Sequence, residues 1–92
     1  MDKPHKKLIA WQLAMDIAVD IYKTSENFPS DEKFGLTSQM RRAAVSIASN
    51  IVEGCARHSE RDYIRFLDMA YGSSRELQYQ VSLARRLGYL NE

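Results

Sequence analysis

The stretch SQMRRAAVSIASNIVEGCAR, residues 38–57, decides the fold because it carries two stripes of side chains at helical spacing. The first stripe is apolar; it begins just before the stretch and consists of Leu36, Met40, Ala43, Ala44, Ile47, Ile51 and Cys55. The second is polar and consists of Gln39, Arg42, Ser46, Ser49, Asn50, Glu53 and Arg57. Steps of three and four residues place each set along one side of an α-helix. We therefore predict a helix over about 37–57, with Thr37 as its N-cap.

The polar stripe needs an explanation of its own. Glu53 and Arg57 form an i, i+4 pair, but Ser46 and Asn50 are mediocre helix formers and poor choices for a plain solvated face. Short polar side chains suit hydrogen bonding across a close helix contact. We interpret the stripe as an interface and expect Asn50 and Glu53 to make buried hydrogen bonds there.

Helical patterns also flank this stretch on both sides. Over about 7–26 the expected apolar seam is Ile9, Trp11, Leu13, Ala14, Ile17, Ala18 and Ile21. Over about 60–87 a heptad seam runs through Tyr63, Leu67, Ala70, Ser74, Leu77, Val81 and Ala84. Ser59 and Asp62 resemble a capping box, and Gly88 fits a C-terminal cap. No strand pattern is found, so we predict a single all-α domain over 1–92, an up-and-down antiparallel bundle.

The composition narrows the class of protein. The 92 residues are 45% apolar and 27% charged, with a formal net charge of +1. No apolar run has the length of a bilayer span, and no signal-peptide pattern precedes the first helix. The chain has one cysteine, which cannot form an internal disulfide and agrees with a reducing compartment. We expect a cytoplasmic protein with no membrane association.

The cations are unevenly distributed. All five lysines lie within the first 33 residues, whereas every cation from Arg41 onward is arginine. The guanidinium fork suits bidentate pairing with phosphate or carboxylate. Our candidates for binding nucleic acid are Arg41, Arg57, Arg61 and Arg65. The alternative is that arginines pair with Glu53, Glu60, Asp62, Asp68 and Glu76, in which case the protein is an interaction module that contacts no nucleic acid.

Catalytic chemistry finds little support in the sequence. Cys55 and His58 lack the third group and oxyanion site of a nucleophilic mechanism, so Cys55 is read as a core residue. Two histidines without a paired His or Cys at ligand spacing argue against zinc, and no glycine-rich phosphate loop is present. We expect no catalytic residues, no metal site, no cofactor and no enzymatic activity.

Small side chains predict where the helices approach one another. In the third helix these are Ala70, Gly72, Ser73 and Ser74, expected to face Ala43, Ala44 and Ala48 of the second. The large residues Phe66, Tyr71, Tyr79 and Leu87 remain on flanking faces. They either cover this chain's own core or meet a partner.

Several motifs together carry a family resemblance. The runs RRAAVSIASNIVEG (residues 41–54) and GSSREL (residues 72–77), with Phe28-Pro29 and Phe34-Gly35-Leu36, resemble the 23S rRNA intervening-sequence protein family of bacterial four-helix bundle proteins. The resemblance covers nearly the whole chain. Ala48 and Val52 stand where the related form SxPSNIAEG has proline and alanine.

The resemblance implies a four-helix bundle that assembles into a homopentamer without enzymatic activity. It also implies possible protein partners, since a relative in diversity-generating retroelements binds nucleic acid and a reverse transcriptase. Residues 90–92 read as the start of a fourth helix with Asn91 as N-cap, so that helix is expected to be missing or truncated. Stripe and motifs together predict interface or structural roles for Arg42, Ser46, Asn50, Glu53, Gly54, Gly72, Ser73 and Glu76. The leading hypothesis is an oligomeric scaffold that binds RNA or DNA through arginines.

Overall fold

Three α-helices in antiparallel order make up the protein. A computed structural model of the chain describes residues 4–90, with side chains from residue 6. Helix α1 spans Pro4–Ser25, α2 spans Leu36–Cys55 and α3 spans Glu60–Arg86, and a 3-10 turn at Ser30–Glu32 precedes α2. No strand occurs within residues 4–90. The all-α prediction is confirmed, and each helix boundary lies within three residues of its predicted position.

Helix α2 lies between the other two helices and contacts both, whereas α1 and α3 share no Cα pair within 8 Å over the described residues. The predicted seams of α2 and α3 are confirmed, because every residue in them is buried or half-buried. The centre of the core is made by residues that are fully covered, Met40, Ala44 and Ala84. The molecule is a rod of 43 × 19 × 19 Å with α2 as its spine.

The predicted seam of α1 is only partly correct. Ala14 is buried and Ala18 and Ile21 are half-buried, but the larger members of the seam are exposed, with Leu13 at 58%. The physical reason is the topology: α1 packs on one neighbour, which can cover only one narrow side of a helix that is apolar on more than one side. Two apolar flanks of α1 therefore remain uncovered.

Close helix approach uses only part of the predicted small-residue set. Ala43, Ala44, Ala48 and Ala70 are buried as expected. Gly72 is a correction, because a Cβ built there meets nothing within 4 Å. Gly54 makes the close approach instead: a Cβ at that position would lie 3.0 Å from Cβ of Phe66 and 3.3 Å from Cδ1 of Tyr63.

These two glycines provide a matched pair of alanine substitutions. Alanine is favoured over glycine by about 1 kcal/mol inside a helix, so Gly72→Ala should stabilise the protein by up to that amount. Gly54→Ala should destabilise it by about 1–2 kcal/mol, since α3 must move away from α2 to admit the methyl group. Urea unfolding followed by circular dichroism measures both changes. Equal stabilisation by the two substitutions would show that α2 and α3 are not in close contact at Gly54.

The ends of α3 follow the sequence signals. Ser59 caps the helix by accepting a hydrogen bond from the Asp62 backbone N–H at 3.1 Å. At the other end Gly88 adopts φ 82°, and the backbone N–H groups of Gly88 and Tyr89 donate to the carbonyls of Arg85 and Ala84. This is the Schellman arrangement, which requires a positive φ that glycine tolerates. Asn91, the expected cap of a further helix, lies outside the described residues.

The start of α2 differs from the prediction. Thr37 lies inside the first turn and is buried, and Gly35 holds the N-cap position without a side chain to offer. The carboxylate of Glu32 replaces the missing cap, because its Oε1 accepts a hydrogen bond from the Leu36 N–H at 3.0 Å. Its other oxygen accepts from the Tyr89 hydroxyl at 2.9 Å, and the Tyr89 ring packs on Phe28 at 5.4 Å. This Glu32–Tyr89 contact joins the loop before α2 to the segment after α3.

The Glu32–Tyr89 contact should make stability depend on pH. The Leu36 N–H and then the Tyr89 hydroxyl lower the pKa of Glu32 from its ordinary value, and Glu32 in turn raises the pKa of Tyr89. A depressed carboxyl pKa contributes stability above the unfolded-state value that is lost as pH falls through the folded-state value. Tyr89→Phe should therefore lower the urea midpoint at about pH 7 and differ less from wild type at about pH 3.

The exposed Tyr79 is a matched control for this measurement, since Tyr79→Phe removes a hydroxyl that contacts no carboxylate in the described part of the chain. A Tyr89→Phe deficit that is as large in acid as at neutral pH would contradict a role for the Glu32 carboxylate.

Candidate nucleic-acid interface

The short connection between α2 and α3 gathers arginines around one aromatic ring. Helix α2 ends at Cys55 and α3 begins at Glu60, so only four residues connect the two helices. The ring of Phe66 is half-buried, with the guanidinium carbon of Arg57 at 4.6 Å and that of Arg65 at 5.1 Å from its centroid. Cations at this distance are attracted to the ring face, which orients both side chains toward the same end of the rod.

Arg57 is the more firmly held of the two arginines. One of its terminal nitrogens lies 2.7 Å from Oε1 of Glu53, and its Nε is buried without a hydrogen-bond partner. The exposed fraction is 38% for the Arg57 side chain and 59% for the Glu53 side chain, so water screens the attraction between them. The carboxylate therefore competes with any phosphate for Arg57.

Arg61 and Arg65 are freer. Arg61 is exposed, and its side chain has no hydrogen bond or ion pair within residues 6–90. Arg65 lies 4.0 Å from Asp62, the limit for an ion pair, with both side chains more than half exposed. Such a contact contributes little and leaves the guanidinium accessible.

Lys7 joins this cluster, although the sequence analysis did not select it. Its ammonium lies 4.7 Å from the centre of the Tyr63 ring, and its backbone carbonyl lies 4.0 Å from the sulfur of Cys55. The antiparallel order of the helices brings the start of α1 beside the end of α2 and the start of α3. The antiparallel helix order, which the sequence predicts, was the signal by which Lys7 could have been selected. We define Lys7, Arg57, Arg61 and Arg65 as the basic end of the rod.

Arg41, also a candidate for binding nucleic acid, does not belong to the basic end. Its Nε donates to Ser25 Oγ at 2.9 Å, its terminal nitrogen donates to the Tyr22 carbonyl at 3.1 Å, and its guanidinium stacks on the Tyr22 ring at 4.6 Å. A cation at the last carbonyls of a helix is favoured by the helix dipole. Arg41 therefore ties α2 to the end of α1, about 24 Å along the helix axis from Arg57.

The polar stripe of α2 separates into two sets. Ser46 and Asn50 lie half-buried at the contact with α3: the hydroxyls of Ser46 and Ser73 are 2.8 Å apart, and Asn50 Nδ2 donates to the carbonyl and hydroxyl of Ser46. Gln39, Arg42, Ser49 and Glu53 are exposed. Ser46 therefore bonds across the contact with α3, whereas Asn50 bonds within α2. Glu53 is not buried within the chain, and its burial at a subunit contact stays a prediction.

A polar groove between α2 and α3 contains further predicted structural residues. Arg42, Ser46 and Glu76 line it together with Gln39 and Ala43. Glu76 accepts a long hydrogen bond of 3.4 Å from Nε2 of Gln80, which is fully buried and whose Oε1 has no partner among the described residues. Arg42 and Glu76 do not approach within ion-pair distance, so this groove is not closed by a salt bridge within residues 6–90.

Comparison of the chain with known protein families gives a match over nearly its whole length. The family model described as 23S rRNA-intervening sequence protein matches residues 6–92. The chain belongs to this family. No curated protein matches the chain at a significant level. The match spans all of the basic end and all of the polar stripe.

Cys55 is half-buried with a free thiol, and no three His, Cys, Asp or Glu side chains converge as metal ligands within the described chain. None of the helices described combines the length and hydropathy that a bilayer span requires.

The hydrogen bond between Ser46 and Ser73 yields a stability prediction. Ser46→Ala should cost about 1 kcal/mol, because it leaves the Ser73 hydroxyl without its partner at a helix contact. Asn50 loses one of two acceptors and keeps the Ser46 backbone carbonyl. The double variant Ser46→Ala/Ser73→Ala should cost less than the sum of the single changes. Ser49→Ala is the exposed control and should change stability by less than about 0.5 kcal/mol, as should Glu53→Ala. Additive single costs in urea unfolding would contradict the bond.

Proposed function

We propose that this protein is a non-enzymatic, cytoplasmic oligomeric scaffold that binds RNA or DNA through the basic end. The observation that supports the proposal is the convergence of Lys7 from α1, Arg57 from the α2–α3 connection, and Arg61 and Arg65 from α3 onto one end of the rod. The formal charge of the whole chain is only +1, so a local concentration of cations is what favours a polyanion there.

Phosphate contacts are the chemistry that this basic end supports. Tyr63 and Phe66 place their rings beneath Lys7, Arg57 and Arg65, which limits the motion of long side chains before they meet a phosphate. Less side-chain freedom is then lost on binding. The described helices offer no element aimed at base edges in a groove, so we propose binding with little dependence on sequence.

Uncovered apolar surface supports the oligomeric part of the proposal. One flank of α1 exposes Leu8, Trp11 and Met15, and a shallow apolar hollow continues from Met15 across to Val45 and Val52 of α2. A second groove of about 520 Å³ lies between α1 and α3, over Ile47, Leu77 and Val81. Apolar surface of this extent marks contact sites. We propose that it is covered by a fourth helix and by further copies in a homopentamer.

Oligomerisation would multiply a small charged patch. Several basic ends on one particle bind a long polyanion with an avidity that a single patch lacks, provided that the nucleic acid reaches more than one of them. This links the apolar flank of α1 to the proposed activity, because loss of assembly would weaken binding without any change at the basic end.

Charge reversal at the basic end tests the proposal. Lys7→Glu/Arg61→Glu/Arg65→Glu should weaken binding of unrelated sequences equally and reduce the slope of log affinity against log salt, which is about −0.9 per duplex phosphate contacted. Fluorescence anisotropy from about 50 to 200 mM salt measures this, with light scattering on the same samples to monitor assembly. Arg42→Glu is the control, since Arg42 is exposed but lies outside the basic end.

Absence of binding by the wild-type protein at about 50 mM salt would overturn the nucleic-acid proposal. The second candidate is then a protein-interaction module. The ion pair between Glu53 and Arg57 favours it, because that carboxylate already satisfies one cation of the basic end.

A further inference from the structure

The exposed side of α3 carries tyrosines that pack neither in the core nor against another helix of the described chain. Tyr71 is 62% exposed and Tyr79 is 57% exposed, which excludes the view that they cover this chain's own core. The buried residues of α3 lie on the opposite side, at Tyr63, Ala70 and Leu77. Burial within the described chain therefore does not explain why two large aromatic rings lie on this exposed face.

Arginine alternates with these tyrosines. At 100° per residue Tyr71, Arg75 and Tyr79 follow one another along the same side of the helix, and Arg86 continues it. The two rings are about 12 Å apart along the axis. Arg75 donates a hydrogen bond from Nη1 to the Tyr71 hydroxyl at 3.1 Å, with its guanidinium 5.9 Å from the ring centroid, so it steadies that ring. We call Tyr71, Arg75, Tyr79 and Arg86 the tyrosine–arginine stripe.

The stripe is continuous with the basic end. Arg61 lies on the same side of α3 as Tyr79, about five turns nearer the start of the helix. Arg65 lies at the edge of the same side. Among the carboxylates of α3, Asp68 lies on this side and Glu60 lies at its edge, and the four arginines of this side and its edge outnumber them. A polyanion that binds at the basic end therefore has a cationic path along α3.

We propose that the tyrosine–arginine stripe binds single-stranded nucleic acid, with unpaired bases stacked on Tyr71 and Tyr79 and phosphates beside Arg75 and Arg86. The inference rests on the proposed function and adds the class of ligand to it. Stacking on exposed aromatic rings tolerates every base, and interleaved cations follow the backbone.

The chemistry of the rings selects the single strand over the duplex. In a duplex the faces of the bases are stacked on one another and only their edges and the phosphates are accessible. A tyrosine on the side of a straight helix can stack on a base only if that base is already unpaired. The basic end by itself makes no such distinction, because phosphates are present in both ligands.

Exposed tyrosine and arginine are also enriched at protein interfaces, so a second copy of the chain is the competing occupant. Charge complementarity favours the nucleic acid, since one cationic stripe would repel the same stripe on another copy. The apolar flank of α1 offers a better surface for self-association, with Leu8, Trp11 and Met15 more than 40% exposed.

The test compares Tyr71→Ala/Tyr79→Ala with Tyr71→Phe/Tyr79→Phe in the full chain, using anisotropy of labelled oligo(U), oligo(dT) and a blunt DNA duplex at low salt. The alanine variant should bind the single strands at least about tenfold more weakly, whereas the phenylalanine variant, which keeps both rings, should bind within about twofold of wild type. Duplex binding should be unchanged in both. The salt slope should also be unchanged, because no phosphate contact is removed.

Three results would overturn the inference. Equal single-strand binding by the alanine variant and wild type would remove the stacking role while leaving the basic end intact. A change of oligomeric state with the alanine variant alone, seen by light scattering, would assign the stripe to a subunit contact. No binding of any probe by wild type would reject the proposed function as well, and is distinguished from the first result by the duplex measurement.

Discussion

The close contact of α2 with both of its neighbours is the constraint on which the rest of the structure depends. Within the described chain, α2 is the only helix that shares Cα pairs within 8 Å with both of the others. Its inner side carries Ala43, Ala44 and Gly54, which allow backbones to approach, and Ser46 adds a directional bond to Ser73. Loosening α2 would weaken the link between α1 and α3, which share no Cα pair within 8 Å over the described residues and meet through the Lys7–Tyr63 cation–π contact.

The same arrangement explains where side chains are left for other partners. A helix packed on one neighbour buries a narrow strip, so most of the apolar surface of α1 stays exposed. Helix α3 is likewise covered on one side only, which leaves its outer tyrosines and arginines in solvent. The protein therefore has an apolar side suited to assembly and a cationic side suited to a polyanion.

Aromatic rings connect the packing to the charges. Tyr63 is buried between the helices, yet its ring also supports Lys7, and Phe66 packs beside Gly54 while supporting Arg57 and Arg65. Because the rings are held by the core, the cations on them have restricted positions. Arg41 makes the same kind of contact with Tyr22, where it also donates to one of the last carbonyls of α1.

The sequence by itself determined the helices, their antiparallel order and the family, because periodicity and caps such as Ser59 and Gly88 are local signals. It also selected Arg57, Arg61 and Arg65, which are neighbours along the chain. Only the tertiary structure decided that Lys7 joins them, that Arg41 does not, that Gly54 rather than Gly72 makes the close approach, and that Glu32 caps α2. Each of these depends on which side of a helix meets its neighbour, and periodicity along one helix carries no information about the position of the next.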